Sequence, residues 1–572
     1  MNVRRIHGYT VPWNLAVAFF ALSAVVASWA AYDPEAARAK LAILFIGIAL
    51  YYAVVLLRGN GRTVLVEALA YGAGLLSIWF LLSHNWEVGG VDFEWIGRVG
   101  VGLTQLQLEG LQLGMHPNRA AGILAMMIPL QVATVALTHA RAAWPRFGGA
   151  VLATLVSLFG LVMTSSRGAW VALGISTVIL LSLFMGRRVL LRFNWAHKPL
   201  ARWGIAMIAV VFLGIVLFCA PWSFMLEQLA AVPGETSIPD RLQLYRQAFE
   251  IAREVPIAGG GLASFAGLYS QYILVIPVYF LGYSHNLYLD VFLEQGLLGM
   301  ATFLVVWLGS LGILLRRVVA RRGADRASRI LAWAVLGGVI ISLLHGLVDD
   351  PLYGERGTPL LFLLPGLAVG LAASGPHRGV EGVPETGGLL RIRGRGRTVA
   401  AMLGGALLAV AGIGMFHFWP QIASAWHANI GVLSMAKAEL AAWPAEGWQD
   451  ERDERLMNQA EFSFRRALSF WPDQPAALYH LGLIELGRRE FGPAAGHLRR
   501  ALAARPSHQG IRKNLGYALA WAGEEARSRE ILRNFPEASE EMRHYSHWWK
   551  HEGRADLAAI ATRMEIALRV SP

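Results

Sequence analysis

The sequence contains very little cysteine and little charge for its length. Cys219 is the one cysteine in 572 residues, which excludes a disulfide within the chain and a zinc site built from several cysteines. Charged residues make up 16% of the chain and hydrophobic residues 55%, whereas a soluble protein usually carries about a quarter charged residues. The composition therefore indicates a membrane protein.

A cleavable signal peptide is not evident either. The first apolar stretch, 11–31, is too long for the apolar core of a signal peptide, and further stretches of similar length follow it. We expect it to be the first membrane anchor.

The net charge of +12 is of a size found in nucleic-acid-binding proteins, but its distribution argues against that function. After residue 420 the chain has 20 Lys and Arg against 19 Asp and Glu. The excess therefore lies in the loops between the apolar stretches, where positive charge sets the orientation of membrane proteins. We expect no nucleic-acid partner.

The distribution of apolar stretches predicts an all-α protein with two domains. The first is a polytopic transmembrane bundle over 1–425, with large loops at 84–119 and 223–286. The second is a helical repeat domain over 430–572. The bundle has about eleven predicted spans, near 11–31, 41–57, 63–83, 120–138, 148–164, 168–186, 204–222, 287–315, 328–348, 359–373 and 399–420.

The positive charges of the loops predict the orientation. Alternate loops, beginning with the N-terminus, hold 22 Lys and Arg, whereas the other set holds 9 up to residue 358. Because cytoplasmic loops carry the excess of positive charge, the N-terminus is expected in the cytoplasm. An odd number of spans then places the C-terminal domain outside.

The second large loop contains an amphipathic segment, 240–254. Leu244, Ala248 and Ile251 share one face at helical spacing. This pattern predicts a helix that lies on the membrane surface.

The C-terminal part repeats itself every 34 residues over about 456–535. Paired helices of this length, with small residues where they cross, are typical of tetratricopeptide repeats, which bind peptides or partner proteins. A structural cap without a ligand is the alternative. The recurring positions are Ala467-Leu468 with Ala501-Leu502, Pro472 with Pro506, Leu481-Gly482 with Leu515-Gly516, and Leu498 with Leu532.

Polar residues on the predicted outer side are candidates for function where they lie within a span, at its end or, for Arg241, at the start of the surface helix, because such residues are costly near lipid. Each has a simpler explanation: an arginine at a helix end often reaches the headgroups, and a single histidine is often a packing residue. His345 and Asp349 stand four residues apart, which favours a His–Asp hydrogen bond over a metal site without a third ligand. The candidates are Asn118, Arg119, Arg167, Arg241, His285, Glu294, His345, Asp349 and Asp350.

Two arginines and one histidine on the outer face suit a particular chemistry. Arginine binds phosphate oxygens bidentately, and histidine accepts a hydroxyl proton near neutral pH. The set indicates a membrane enzyme that binds a lipid diphosphate and transfers what it carries to a hydroxyl group.

Four segments, in their order along the chain, resemble the O-antigen ligase/polymerase superfamily. The resemblance covers roughly residues 100–370. The segments are His116-Pro-Asn-Arg-Ala-Ala121, Ser165-Ser-Arg-Gly168, Pro239-Asp-Arg-Leu-Gln-Leu-Tyr245 with Pro256-Ile-Ala-Gly-Gly-Gly-Leu262, and Ser284-His-Asn-Leu-Tyr-Leu289 with Glu294-Gln-Gly296.

The resemblance implies an inverting glycosyltransferase of the GT-C type in the bacterial inner membrane, without nucleotide sugar, metal or other cofactor. Its donor would be a glycan on undecaprenyl diphosphate. By position, Arg167 and Arg241 would hold the diphosphate, and His285 would orient or deprotonate the acceptor hydroxyl. The residues expected to line or support the site are Asn118, Arg119, Tyr245, Asn286, Glu294, His345 and Asp349.

The repeats leave the acceptor open. A polysaccharide polymerase is favoured, with an O-antigen ligase or a protein O-oligosaccharyltransferase as alternatives. A lipid-glycan flippase is a different class, but the two halves of the bundle show no similarity. A membrane-anchored scaffold, in which the repeat domain does the binding, is a third alternative, but eleven spans are more than an anchor needs. An enzyme should keep some basal chemistry without 430–572, whereas a scaffold should not.

Overall fold

The structure is a computed structural model. It describes residues 3–86, 93–106, 115–192, 238–273, 281–319, 325–350, 352–353, 357–373, 414–440 and 451–569. Within these ranges every regular element is a helix, which confirms the predicted all-α class.

The membrane part is built from long apolar helices with short helices between them. Among the described residues, eight helices are long and apolar enough to cross a membrane, and Thr358–Ala373 is a shorter apolar helix. The helices up to residue 373 are α1 Val3–Ala30, α2 Pro34–Leu56, α3 Gly61–Ser83, α4 Glu94–Thr104, α5 Pro117–Ala140, α6 Trp144–Met163, α7 Arg167–Arg192, α8 Ile238–Ala252, α9 Phe265–Ile273, α10 Leu287–Val319, α11 Arg326–His345 and α12 Thr358–Ala373.

The predicted spans coincide with these helices wherever the structure describes them. The span at 204–222 and residues 399–413 of the last span lie outside the described residues. Capping explains one boundary well: Asp33 accepts hydrogen bonds from the amides of Glu35 and Ala36, with Pro34 in the first turn of α2.

The helix of the second large loop, α8, is where predicted, but its predicted environment is wrong. Leu244, Ala248 and Ile251 are buried inside the protein, where they form one apolar cluster with residues of α9 and α10 such as Phe265 and Leu293. An amphipathic face does not distinguish a membrane surface from a protein surface, because both are apolar. The helix is therefore held against the bundle.

The C-terminal helices recur at the predicted interval. The helices Gln509–Trp521 and Glu525–Leu532 begin 34 residues after the helices Pro475–Gly487 and Phe491–Ala504. A side chain on Gly482 would lie 2.7 Å from Leu498 Cγ, and one on Gly516 would lie 2.6 Å from Leu532 Cγ, so each pair crosses at a glycine. These helices are α13 Trp419–Leu440, α14 Glu451–Phe470, α15 Pro475–Gly487, α16 Phe491–Ala504, α17 Gln509–Trp521, α18 Glu525–Leu532, α19 Ala538–His551 and α20 Ala555–Arg569.

Candidate active site

Four helix ends meet at one end of the bundle. Near the start of α7, a methyl group on Gly168 would lie 2.8 Å from the Val348 side chain, which follows the end of α11. The Leu287 amide at the start of α10 donates to Gly346 O at 2.9 Å. Arg241, near the start of α8, donates from Nη1 to Val348 O at 2.7 Å. The structure thus brings together predicted site segments that lie far apart in the sequence.

His285 is paired with a buried carboxylate at this meeting point. Its Nδ1 lies 3.2 Å from Asp349 Oδ1, and the two side chains are 22% and 3% exposed. The Asp350 amide donates to the same oxygen at 2.8 Å. The ring of Tyr283 lies 4.4 Å from the imidazole, between centroids. The imidazole is therefore oriented on one side and remains partly open to solvent.

The charge state of Asp349 decides whether His285 Nδ1 or Asp349 Oδ1 carries the proton of the hydrogen bond between them. Burial raises its pKa, but the hydrogen bond from His285 and the charges of His285, His345 and Arg241 outweigh burial, so the pKa lies below its usual value. An ionised carboxylate has no proton to donate, so Nδ1 of His285 is the donor. In the neutral imidazole Nε2 then carries the lone pair.

The backbone around the histidine is held by a neighbour from α8. The Tyr245 hydroxyl donates to His285 O at 2.9 Å, and Tyr245 also hydrogen-bonds Arg241. Burial raises the pKa of Tyr245, which keeps the phenol protonated. Arg241, Tyr245 and His285 therefore form one connected group.

Asn286 fixes the start of α10. Its Oδ1 accepts from the amides of Tyr288 and Leu289, both at 3.1 Å, as an N-cap does. Its Nδ2 donates to Leu347 O at 3.0 Å. The predicted site residue Asn286 is thus a support that ties two segments together.

Two residues of the site have left-handed backbone conformations. Ser165 and His285 both have φ of 55°, which is uncommon outside glycine. Such strain persists only where the surroundings impose it, and it concentrates at functional sites. Both residues lie in segments that carry the family resemblance.

Arg167 lies at the start of α7, where backbone amides favour an anion. Its guanidinium carbon lies 6.0 Å from the centre of the Phe93 ring. Phe93 stacks in turn on Trp170, with ring centroids 5.7 Å apart. The arginine is therefore placed by aromatic groups at a helix N-terminus.

The predicted hydrogen bond between His345 and Asp349 is wrong. The Asp349 amide does donate to His345 O at 2.9 Å, but the carboxylate pairs with His285 instead. His345 is 2% exposed, and its Nε2 has no hydrogen-bond partner among the residues that the structure describes. Spacing within one segment could not reveal that a second segment supplies the partner. Among the described residues no group of three or more His, Cys, Asp or Glu could hold a metal ion.

Glu294 takes part in a separate set of buried contacts. It is buried in α10 and its Oε2 lies 2.6 Å from Lys40 Nζ. Lys40 also lies 3.9 Å from the centre of the Tyr353 ring, whose hydroxyl accepts from Gln295 Nε2 at 2.7 Å. Glu294 therefore belongs to a buried network that supports the site.

The other two candidates lie at the start of α5. The Asn118 amide donates to His116 Nδ1 at 3.3 Å. Arg119 is partly buried and acts by its charge on Tyr283, the ring beside His285. Arg119 therefore contributes positive charge near the tyrosine that lies beside His285.

Sequence reasoning missed several residues of this site. Asp290 accepts from the Ser284 amide at 2.9 Å and fixes the turn before the histidine. Its position, one turn after Ser284-His-Asn286, was a usable signal. Lys40 had none, because nothing in the sequence relates it to Glu294.

The fold is that of a polytopic integral membrane protein. Residues 150–304 match the family model described as O-antigen ligase. The match confirms the predicted resemblance to the O-antigen ligase/polymerase superfamily and supports a function of that general kind. No curated protein matches the chain. The matched segment includes Arg167, Arg241, His285 and Glu294, and it ends before the C-terminal helices.

Proposed function

We propose that this protein transfers a glycan from undecaprenyl diphosphate to a hydroxyl acceptor at the periplasmic face of the bacterial inner membrane. The observation that carries the proposal is the pairing of His285 with Asp349 beside Arg241. The group combines an oriented base with a cation suited to a diphosphate.

The arginines supply positive charge where the leaving group develops negative charge. Arg241 and Arg167 would bind the diphosphate oxygens, assisted by the amides at the start of α7. Charge placed in advance of the reaction lowers the barrier for departure of undecaprenyl diphosphate.

His285 would act on the acceptor. Since Nδ1 donates to Asp349, Nε2 is the atom that accepts the hydroxyl proton. The acceptor oxygen bonds to the anomeric carbon as the bond from that carbon to the diphosphate oxygen breaks, with inversion. The buried carboxylate stabilises the imidazolium that forms.

Among acceptors we favour the growing glycan itself, which makes the enzyme a polysaccharide polymerase. A hydroxyl on a second glycolipid would make it an O-antigen ligase, and a hydroxyl on a protein would make it an O-oligosaccharyltransferase. Transfer to a lipid acceptor does not require the C-terminal helices.

The test is product length. The purified protein in lipid receives a synthetic undecaprenyl-diphosphate oligosaccharide alone, and then with lipid A–core or a candidate acceptor protein. A ladder of products from the donor alone is expected. A single addition that requires the second acceptor would indicate a ligase instead of a polymerase. Movement of donor across the membrane without covalent change would indicate a flippase.

Matched variants link the product to the site. Arg241→Ala and His285→Ala should abolish turnover without loss of folded protein. Arg246→Ala is the control, because Arg246 is exposed on the same helix and should leave turnover unchanged. Normal turnover in both site variants would rule out the proposed function.

A further inference from the structure

The loop that follows α8 is enclosed by the C-terminal helices. Glu254 is 5% exposed, and its two carboxylate oxygens are approached from two consecutive helix pairs. His480 Nε2 of α15 lies 2.9 Å from Oε2, and His508 Nε2, at the cap of α17, lies 3.2 Å from Oε1. Arg505 adds a third contact, with Nη1 3.6 Å from Oε1.

This group is built around a charge. Arg505 and His508 are themselves 7% and 0% exposed. Burial opposes ionisation of Glu254, but the charges and hydrogen bonds of His480 and His508 outweigh it and hold the pKa of Glu254 well below its usual value. A buried carboxylate with such partners is costly to leave unpaired.

An asparagine of α13 holds the next residues of the loop. Asn429 Oδ1 accepts from the amides of Ile257 at 3.2 Å and Ala258 at 2.9 Å. Its Nδ2 donates to Gly259 O at 3.4 Å. Asn429 is 1% exposed, and both ends of its amide group therefore bind the loop backbone away from solvent.

The same loop inserts apolar side chains between the C-terminal helices. Val255 and Ala258 belong to one buried cluster with Phe464 of α14 and Leu481 of α15. Polar and apolar contacts therefore cover the loop together. The face of the helix pairs that carries His480 is occupied by a segment of the same chain.

The loop leads directly to the candidate active site on both sides. On its N-terminal side is α8, which carries Arg241 and Tyr245. On its C-terminal side, Gly260 and Gly261 donate to Leu293 O at 2.7 Å and Glu294 O at 3.2 Å, in the helix that begins just after His285. A shift of this loop would move both the cation and the base.

We propose that the C-terminal helices bind the loop 253–261 of their own chain and thereby position the active site, with Glu254 and Asn429 as the positioning residues. The proposal rests on the proposed function for its activity readout. It departs from the expectation that an enzyme keeps basal chemistry without 430–572, since that deletion would remove the partners of Glu254.

The experiment uses the full chain in lipid with two readouts. The first is hydrogen–deuterium exchange over 238–261, and the second is the rate of donor consumption. Glu254→Ala and Asn429→Ala should both raise exchange in that segment. They should lower kcat on the order of 10²-fold, with little change in KM, because a displaced cation acts mainly on the departing diphosphate.

A matched control is available within the C-terminal helices. His497 Nδ1 lies 2.7 Å from Glu485 Oε2, a second His–carboxylate pair, with both partners in α15 and α16. Glu485→Ala should change neither the exchange of 238–261 nor kcat. Glu254→Gln keeps an acceptor for the histidines. Its exchange over 238–261 and its kcat should therefore lie between those of wild type and those of Glu254→Ala. A general loss of folding would not produce this graded result.

The outcomes separate the two proposals. Unchanged exchange in both positioning variants would overturn the binding of the loop, and raised exchange with unchanged kcat would overturn its positioning role. If wild type consumes no lipid-linked donor, the proposed function fails. The exchange experiment still decides whether the C-terminal helices hold the loop.

Discussion

Lys40 and Glu294 form an ion pair inside the helical bundle. Lys40 Nζ lies 2.6 Å from Glu294 Oε2, with the side chains only 9% and 4% exposed. The pair joins α2 to α10, the helix that begins two residues after His285. Removing one partner leaves the other charge buried and unpaired, which costs far more than loss of a surface pair.

We therefore predict that Lys40→Met destabilises the protein by about 3–5 kcal/mol. Glu294→Gln alone should be destabilising as well, whereas Lys40→Met combined with Glu294→Gln should recover part of the loss. Thermal unfolding in detergent measures the effect. Arg98→Ala is the control, because Arg98 pairs with Glu94 at the surface, where the side chains are 75% and 82% exposed. Equal effects of the buried and exposed variants would contradict the prediction.

A second prediction concerns the close approach of two backbone segments. Gly296 has φ of 66°, and a methyl group there would lie 2.5 Å from Ile257 O. Gly296→Ala should therefore destabilise the protein by about 1–3 kcal/mol, from backbone strain and from displacement of the loop. It should also lower activity, because that loop directly follows α8, which carries Arg241 and Tyr245.

Gly312 provides the control in the same helix. No atom of the described residues lies within 4 Å of a side chain placed there, so Gly312→Ala should be neutral or stabilising by up to about 1 kcal/mol. Thermal unfolding of the two variants under the same conditions is the measurement. A milder effect of Gly296→Ala than of Gly312→Ala would show that the two segments do not need this contact.

A third prediction concerns the orientation of His285. Asp349→Asn replaces the carboxylate by an amide and removes the charge that stabilises an imidazolium. The rate should fall by about 10²–10⁴-fold, with stability nearly unchanged. Asp325→Asn is the control: Asp325 caps the other end of α11 by accepting from the Ser328 amide, and asparagine caps equally well. An unchanged rate for Asp349→Asn would remove His285 from the role of base.

The helices could be predicted because their signal is local. A span needs about 20 apolar residues in succession, and every such stretch in the described ranges is a helix. The 34-residue interval between helix pairs was readable for the same reason. The environment of α8 was not, since an apolar face packs against protein and lipid alike.

The site was predictable residue by residue but not pair by pair. His285 and Asp349 stood out as polar groups at span ends, and Arg241 stood out at the start of the helix in the second large loop. Their pairing depends on how α8, α10 and α11 pack, and that information is spread over the whole bundle. The contacts of Glu254 with His480 and His508 were invisible for the same reason, because no single segment contains both partners.

The last prediction concerns pH and Glu439, near the end of α13. Gln271 Nε2 donates to its carboxylate, and burial raises its pKa to about 8. A carboxyl group with a raised pKa in the folded state favours folding while it is protonated. Its contribution is therefore complete below the ordinary pKa of about 4.3 and is lost as the pH rises towards 8.

Glu439→Gln keeps the shape of the side chain and removes its titration. We expect the variant to match wild type in thermal unfolding below about pH 4 and to be more stable than wild type above about pH 8, because only wild type must then bury a charge. Glu565→Gln is the control, since Glu565 pairs with Arg569 on the last helix and lies far along the chain from Gln271. A variant that follows the pH dependence of wild type throughout would show that Glu439 is already ionised in the folded protein.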